Sequence, residues 1–417
     1  MDHLAAESLQ KPKMSAKEFT ALTATLMSIV AISIDALLPA LGIITQDLQI
    51  QNPNQAQLLI GALFLGMATG QLIAGPLSDA LGRKPVLYAG LFIYSIGTLT
   101  CFFAPSFEVL LAGRIIQGLG AAGPYISAVS LVRDQYKGRE MAKVMSLVMM
   151  IFILVPALAP SLGEMILLFT NWHGIFVMYG LYALIILTWI SFRLEETLKP
   201  EQRIPFSRAG FFAGFKEVIS NKSTISLTFC AGLMFGCLIG YISSAQQIFQ
   251  VQFETGKLFS VYFGGLALLV GVSSLVNSKI VGRLGMHLIS KRAFSVIILN
   301  SIIFLIVQSL VEVQLWMFVI FAGILFFCFG LLFGNINAMA MEPMGHVAGI
   351  AAAVIGAISS IMSNIVGTSI GQMYNNTLIP MTLAYILLCS LALALLYYAE
   401  KKTNETKQEE EGSANHA

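Results

Sequence analysis

Two ionisable side chains, Asp35 and Arg114, stand inside apolar runs long enough to cross a lipid bilayer. A charge at that depth costs about 2.5–3.5 kcal/mol even on the mildest insertion scale. Packing alone does not select it. A buried aspartate is suited to taking up and releasing a proton, or to holding a cationic group of a passing solute. Arginine keeps its proton, so Arg114 can tune a proton carrier but not act as one. At 1.5 Å per residue both lie roughly 10–12 Å below the same boundary. The functional reading makes Asp35 the site where proton and substrate meet, with Arg114 adjusting it, since burial and a guanidinium act on a carboxylate in opposite directions. The structural alternative is an Asp35–Arg114 ion pair that only ties two helices together. Glu164, about four residues from the edge of its run, reads as a solvated rim position.

A second constellation is the short connection Gly75-Pro-Leu-Ser-Asp-Ala-Leu-Gly-Arg-Lys84. Asp79 can pair with Arg83 and with the N-terminus of the helix that follows. Asp134 falls at the same face. An exposed ion pair contributes only about 0–1 kcal/mol. A partly buried network holds more, and a two-state gate needs a difference of only a few kcal/mol. The plainer role for Arg83 and Lys84 is topology control.

The elements that position these groups are membrane helices. Of the 417 residues, 57% are hydrophobic and 11% charged, and mean hydropathy is +0.79. A soluble domain carries about 25% charged residues, so the solvent is lipid. Twelve apolar runs are each long enough to span: 19–43, 57–79, 85–104, 107–132, 141–168, 173–193, 223–250, 258–283, 292–311, 314–340, 347–374 and 379–399. They lack the alternation of barrel strands, and helices satisfy their own backbone groups. With the N-terminus placed in the cytoplasm, 22 of the 24 Lys and Arg fall in cytoplasmic segments, so both termini are expected there. Residues 1–18 read as a tail without a cleavable signal. Residues 19–193 form one six-helix bundle, 194–222 a cytoplasmic linker and 223–399 a second bundle. Residues 400–417, with Glu409, Glu410 and Glu411, read as a disordered solvated end. In the linker, Ser207 to Ile219 is amphipathic, with Phe211, Phe212 and Phe215 beside Arg208 and Lys216, as an interfacial helix would be. The loops after the second and eighth spans echo each other in Leu81-Gly82-Arg83 and Arg283-Leu284-Gly285. Duplicated halves are typical of transporters that rock about a central site.

Small residues and prolines mark where helices approach or flex. Gly118, Gly120 and Gly123 permit close packing. Pro39, Pro156 and Pro160 remove helical hydrogen bonds and are expected to bend the first and fifth spans. The second half has no ionisable residue deep in a span. Its neutral polar groups include Tyr241, Ser243, Gln246, Gln247, Asn335, Asn337, Ser359 and Asn364. Tyr241, Gln246 and Asn335 are expected to line a substrate cavity, and helix–helix hydrogen bonding is the alternative. The five cysteines, Cys101, Cys230, Cys237, Cys328 and Cys389, lie in apolar runs without metal-ligand spacing and read as packing residues.

Taken together, these motifs resemble the major facilitator superfamily. The Gly75–Lys84 loop matches its second-to-third-helix pattern, and Leu111-Ala-Gly-Arg114-Ile-Ile-Gln117-Gly118-Leu-Gly120 its fourth-helix motif. Asp35-Ala-Leu-Leu-Pro39 resembles the first-helix motif of its drug:proton antiporters, and Pro156-Ala-Leu-Ala-Pro160-Ser-Leu-Gly163 their fifth-helix motif. Arg133-Asp134-Gln-Tyr and Trp172-His173 narrow the resemblance to the Bcr/CflA drug-resistance subfamily. The chain departs from that pattern where Glu164 follows Gly163 and where Ser243-Ser244-Ala245 runs into Gln246 and Gln247 without a proline. The resemblance implies an all-α membrane protein of twelve helices in two pseudo-symmetric bundles, and an Asp79–Arg83–Asp134 network that stabilises the outward-open state. It also implies a proton-coupled exporter of small molecules, not an enzyme, and a monomer; the short loops and the lack of targeting signals suggest a bacterial inner membrane. The expected partners are a small-molecule substrate, protons and the bilayer, without cofactor, metal or nucleic acid. The alternative is a narrow-specificity exporter of a siderophore, dipeptide or amino acid on the same fold. An ATP-driven pump is disfavoured because no G-x-x-x-x-G-K-[ST] loop occurs. A channel or scaffold is disfavoured by the duplicated halves and the buried carboxylate.

Overall fold

The computed structural model describes residues 14–203 and 208–414, which among themselves form helices and connections only. The first half contains α1 (Ala16–Asp35), α2 (Leu41–Asp47), α3 (Leu58–Leu81), α4 (Arg83–Phe102), α5 (Phe107–Gln135), α6 (Gly138–Leu167) and α7 (His173–Arg193). The linker holds α8 (Arg208–Ser220). The second half contains α9 (Lys222–Gln246), α10 (Phe259–Leu284), α11 (Met286–Leu310), α12 (Leu315–Met341), α13 (Ala348–Gln372) and α14 (Ile379–Ala414). Among the described residues, eleven segments are long and apolar enough to cross a membrane. The 30-residue α6 supplies the remaining leg of the alternation.

The repeat seen in the loops is present in the fold. Gly82, between the second and third spans, has φ +106°, and Gly285, between the eighth and ninth, has φ +76°. Only glycine enters that region without strain, so each ends one helix and starts the next. Among these eleven segments the first and seventh spans are the most enclosed, 89% and 72% buried over their apolar windows. The seam between halves is made by α3 against α13 and α6 against α10. These are the second and eleventh spans and the fifth and eighth, which the duplication exchanges.

The bend expected at Pro39 is a full break, and three further segments differ from the sequence expectation. The first span is interrupted: α1 stops at Asp35, a 3₁₀ turn covers Leu38–Ala40, and α2 resumes at Leu41. Pro39 lacks the N–H that an α-helix would give to the Asp35 carbonyl. The seventh span ends in a π-turn over Gln247–Gln252, a wider coil where a proline was expected in the subfamily. The ninth begins at Met286 rather than 292, because Gly285 fixes its start and places Lys291 and Arg292 within the helix. The twelfth continues to Ala414, so much of the tail read as disordered is helical. A helix already nucleated in the bilayer extends at low cost, and Lys402 Nζ to Glu405 Oε2 at 2.6 Å supports it. A helix is present in the linker where the amphipathic segment was expected, with Val218 buried. Ser207 and the side chains of Arg208, Phe211 and Phe212 lie outside the described residues, as do the side chains of Glu409, Glu410 and Glu411 and the tail before residue 14.

Candidate functional site: a carboxylate at a broken helix and two faces that latch

Asp35 closes the last turn of α1. Its side chain is 4% exposed, and among the described residues no donor reaches its carboxylate. Tyr179 of α7 and Tyr241 of α9 lie within electrostatic reach of it, one from each half. The break beside it is held from below by α6. A Cβ on Gly163 would stand 2.0 Å from the Ala36 carbonyl oxygen, so the fifth-helix motif rests on the backbone next to Asp35. On the same helix, Ala157 meets α10 across the seam, where a Cβ on Gly264 would stand 2.5 Å from the Ala157 carbonyl oxygen. Pro160 lies between these two contacts. Pro156 and Pro160 both sit inside a helix that runs uninterrupted from Gly138 to Leu167.

Arg114 does not pair with Asp35. It is fully buried and satisfied by acceptors on three helices. Nε donates to Leu59 O at 3.1 Å, Nη2 to Ser33 O at 2.8 Å and Nη1 to Gln117 Oε1 at 2.6 Å. Gln117 passes the network on to Thr98 Oγ1 at 2.9 Å. Ser33 also takes a hydrogen bond from Tyr179 OH at 3.2 Å and shares one with Tyr94 OH at 2.6 Å. The geometry of α1 explains the missed pair. Asp35 is two residues beyond Ser33, about 200° round the helix, so it faces away from the Arg114 cluster. Gly118 sits one turn along α5, where a Cβ would stand 2.0 Å from Leu63 O. It sets the α3–α5 distance that lets Arg114 reach Leu59.

Of the three cavity residues expected in the second half, two stand near the seam. Tyr241 is stacked on Phe263, with centroids 6.0 Å apart, and meets Phe326 edge-on at 4.8 Å. Its hydroxyl is buried without a hydrogen-bond partner. Gln246 bonds Gln250 Oε1 through Nε2 at 3.1 Å and lies against Gly42, just past the break in the first span. Asn335 is instead a helix clamp. It exchanges amide hydrogen bonds with Asn277 at 2.9 and 3.1 Å and donates to Leu331 O at 2.9 Å, so its polar atoms are occupied between α10 and α12.

On the face that carries both ends of the described chain, the charged loop is assembled around Arg83, which is 2% exposed. Nη1 bonds Asp79 Oδ1 at 2.7 Å and Ser78 Oγ at 3.0 Å, while Nε and Nη2 bond Asp134 at 2.8 and 3.3 Å. The sequence reading missed two members. Thr197 Oγ1 donates to Asp134 Oδ2 at 2.9 Å. Glu196 accepts the backbone N–H groups of Arg83 and Lys84 at 2.9 and 3.0 Å, capping α4 where Gly82 has no side chain to do so. Among the described residues every member belongs to the first half or the start of the linker. The network therefore braces one bundle, and nothing in it bonds to the other.

The opposite face carries a polar latch between the halves that the sequence reading did not assemble. Gln57 Nε2 donates to Gln247 Oε1. Gln247 Nε2 donates to Asn54 Oδ1 at 2.9 Å. Asn54 Nδ2 donates to the carbonyls of Gln372 and Tyr374 at 3.1 and 2.7 Å, and Gln372 Nε2 returns a bond to Asn54 O at 2.6 Å. The available signal was the amide-rich run Gln51–Gln57 opposite Gln246 and Gln247. Beside it, Trp172 Nε1 bonds Asp47 Oδ2 at 2.7 Å and its ring stacks on His173, tying α2 to the start of α7. Glu164 is half-buried near this end of α6 and lies against Ser260 of the other half.

The profile of the Major Facilitator Superfamily matches residues 23–368. The chain belongs to this superfamily. It is therefore a multi-pass membrane transporter, and its similarities extend into the drug-resistance branch. The chain is 31% identical over 358 residues to the uncharacterized MFS-type transporter YdgK of Bacillus subtilis, covering 84% of this chain and 87% of that one. It is 28% identical over 368 residues to the bicyclomycin resistance protein homolog of Haemophilus influenzae, covering 88% and 91%. It is 27% identical over 403 residues to the multidrug resistance protein MdtL of Salmonella heidelberg, covering 95% and 98%. In fold it matches the crystal structure of the human organic anion transporter MFSD10, with TM-score 0.64 at 16% identity over 92% of this chain and 99% of that chain. That match carries the major facilitator architecture alone.

Proposed function

We propose that this superfamily member is a proton-coupled exporter of small amphipathic molecules, in which substrate and proton compete at Asp35. The observation that carries the reading is the enclosed Asp35 carboxylate at the break in the first span, with no donor of its own. An occupied ion pair would leave nothing for a proton or solute to displace. The unpartnered Tyr241 hydroxyl, approaching from the other half, gives the site a second polar group and an aromatic wall. A single fixed negative charge against aromatic rings suits a lipophilic cation or a neutral amphipath. The drug-resistance names of the relatives favour export over uptake.

In the cycle, Asp35 loses its proton to the cytoplasm, takes substrate and, after the cavity turns outward, exchanges substrate for an external proton. For a neutral solute, one charge crossing 100 mV gains about 2.3 kcal/mol, enough for a roughly fifty-fold gradient per proton; exchange of a monovalent cation for one proton moves no net charge and draws on the pH gradient alone. The opposite-face latch closes the outer side and must break for release. The Arg83 network keeps the first half rigid while it turns. The bias of basic residues supports a cytoplasmic side for the face with both termini, and the bacterial relatives support a bacterial inner membrane. The protein acts as a monomer, without ATP or cofactor.

The test is proton release from purified protein in detergent while lipophilic cations and neutral amphipaths are titrated into wild type and Asp35→Asn. Release that accompanies binding in wild type and vanishes in Asp35→Asn is expected. Binding with no proton release, equal in both, would sink the competition mechanism.

A further inference from the structure

We propose that the groove between α10, α11 and α12 binds one anionic phospholipid of the leaflet on the face that carries both termini, with its phosphate on Arg292 and an acyl chain along the groove. The groove offers about 560 Å³ and is walled by apolar side chains, among them Leu269, Leu284, Ile289 and Phe327, with Gly323 leaving room on α12. Leu269 and Leu284 mark its length on α10, about 22 Å at 1.5 Å per residue. One hydrocarbon leaflet is about 15 Å deep, so the groove is long enough for an extended chain. Arg292 is the charged residue of this lining, and it stands at the end nearer the terminal face.

The charge pattern on α11 argues that Arg292 waits for an outside anion. Lys291 Nζ bonds Glu400 Oε2 at 2.5 Å and lies 4.5 Å from the centre of the Tyr397 ring. His287 Nδ1 stands 4.0 Å from Glu400 Oε1. These basic groups are thus turned towards α14. Arg292, about 100° further round the helix, is exposed and turned to the groove. Among the described residues it has no hydrogen bond or ion pair. It lies about 9 Å along α11 from the helix start, within reach of the headgroup region by snorkelling. A guanidinium there keeps its charge, and a phosphate matches its two-pronged donor geometry. Lys279 and Arg283, at the same end of α10, are also exposed and unpaired among the described residues, and add attraction for an anionic headgroup. The apolar wall alone would accept any lipid tail. The free cation at its mouth makes the site selective. The site also bears on motion, because α10 is the helix that meets α6 across the seam.

The test is native mass spectrometry of the full-length protein from micelles holding equal amounts of phosphatidylglycerol and phosphatidylcholine with identical chains. Wild type is expected to retain phosphatidylglycerol over phosphatidylcholine by roughly fivefold or more. Arg292→Gln is expected to reduce that preference several-fold, to what Lys279 and Arg283 alone sustain. Gly323→Leu fills the groove at a position where a first carbon meets Leu269 at an ordinary 3.4 Å, and is expected to reduce retention of both lipids. Lys257→Gln, on the opposite face, serves as the charge control and is expected to behave as wild type. Unchanged preference in Arg292→Gln, or undiminished retention in Gly323→Leu, overturns the site. Each variant is first checked for a single monodisperse peak and a wild-type melting temperature, so that misfolding is not read as lost binding.

Discussion

At the scale of single residues, two charges of equal depth have opposite circumstances. Arg114 has three acceptors, and Asp35 has no donor. Lysine at position 114 keeps the charge but presents one ammonium where a planar fork served Leu59, Ser33 and Gln117. Arg114→Lys is therefore expected to lose about 1–3 kcal/mol for each buried acceptor left unsatisfied, read as a lower melting temperature in detergent. A wild-type melting temperature together with lost proton coupling would return Arg114 to the coupling chemistry. Asp35→Asn preserves shape and removes the titrating group. In proteoliposomes it is expected to bind substrate but to show no uptake driven by a pH gradient, and its binding should no longer vary with pH. Wild-type gradient-driven transport in that variant would remove Asp35 from the mechanism.

At the scale of elements, the informative feature is the contact between the broken first span and the fifth. Pro39→Ala restores an N–H opposite the Asp35 carbonyl. The first span is then expected to straighten, and turnover to fall several-fold while substrate affinity stays close to wild type. Stopped-flow efflux beside equilibrium binding separates the two. Unchanged turnover would make the break a packing detail. Gly163→Leu is more severe, because even its first carbon would lie 2.0 Å from Ala36 O. It is expected to lower the melting temperature or block transport, whereas Gly265→Ala, with nothing near its Cβ, should do neither. The prolines and glycines were legible in the sequence because their backbone constraints are intrinsic. Their partners were not, since a glycine advertises closeness without saying to what.

At the scale of the whole molecule, the two faces differ in what they join. The Arg83 network lies within the first bundle and the linker. The amide latch of Asn54, Gln57, Gln247 and Gln372 joins the two bundles. Removing the latch should therefore shift the population towards an outward-open form, while breaking the Arg83 network should chiefly destabilise the first half. Gln57→Ala with Gln247→Ala is expected to lengthen spin-label distances between the halves on that face. The double-mutant cycle should show a coupling energy of roughly 0.5–3 kcal/mol in the conformational equilibrium. Unaltered distances would show that apolar seam contacts hold the face closed without the amides.

The sequence by itself determined the solvent, the all-helical fold class and the identity of the charged loop. Each follows from local quantities: apolar run length, charge placement and the special backbone of glycine and proline. It also placed Asp35 beside a helix breaker. The tertiary structure decided which way each side chain faces and what meets it. Depth alone could not show that Asp35 lies about 200° from Ser33, where Arg114 is anchored. Asn335 looked like a cavity residue until Asn277 closed on it. Glu196 became the cap of α4 only through a return of the chain more than a hundred residues later. The latch amides are polar, common and uncharged, so their pairing is set by the approach of two bundles and not by any pattern along the chain.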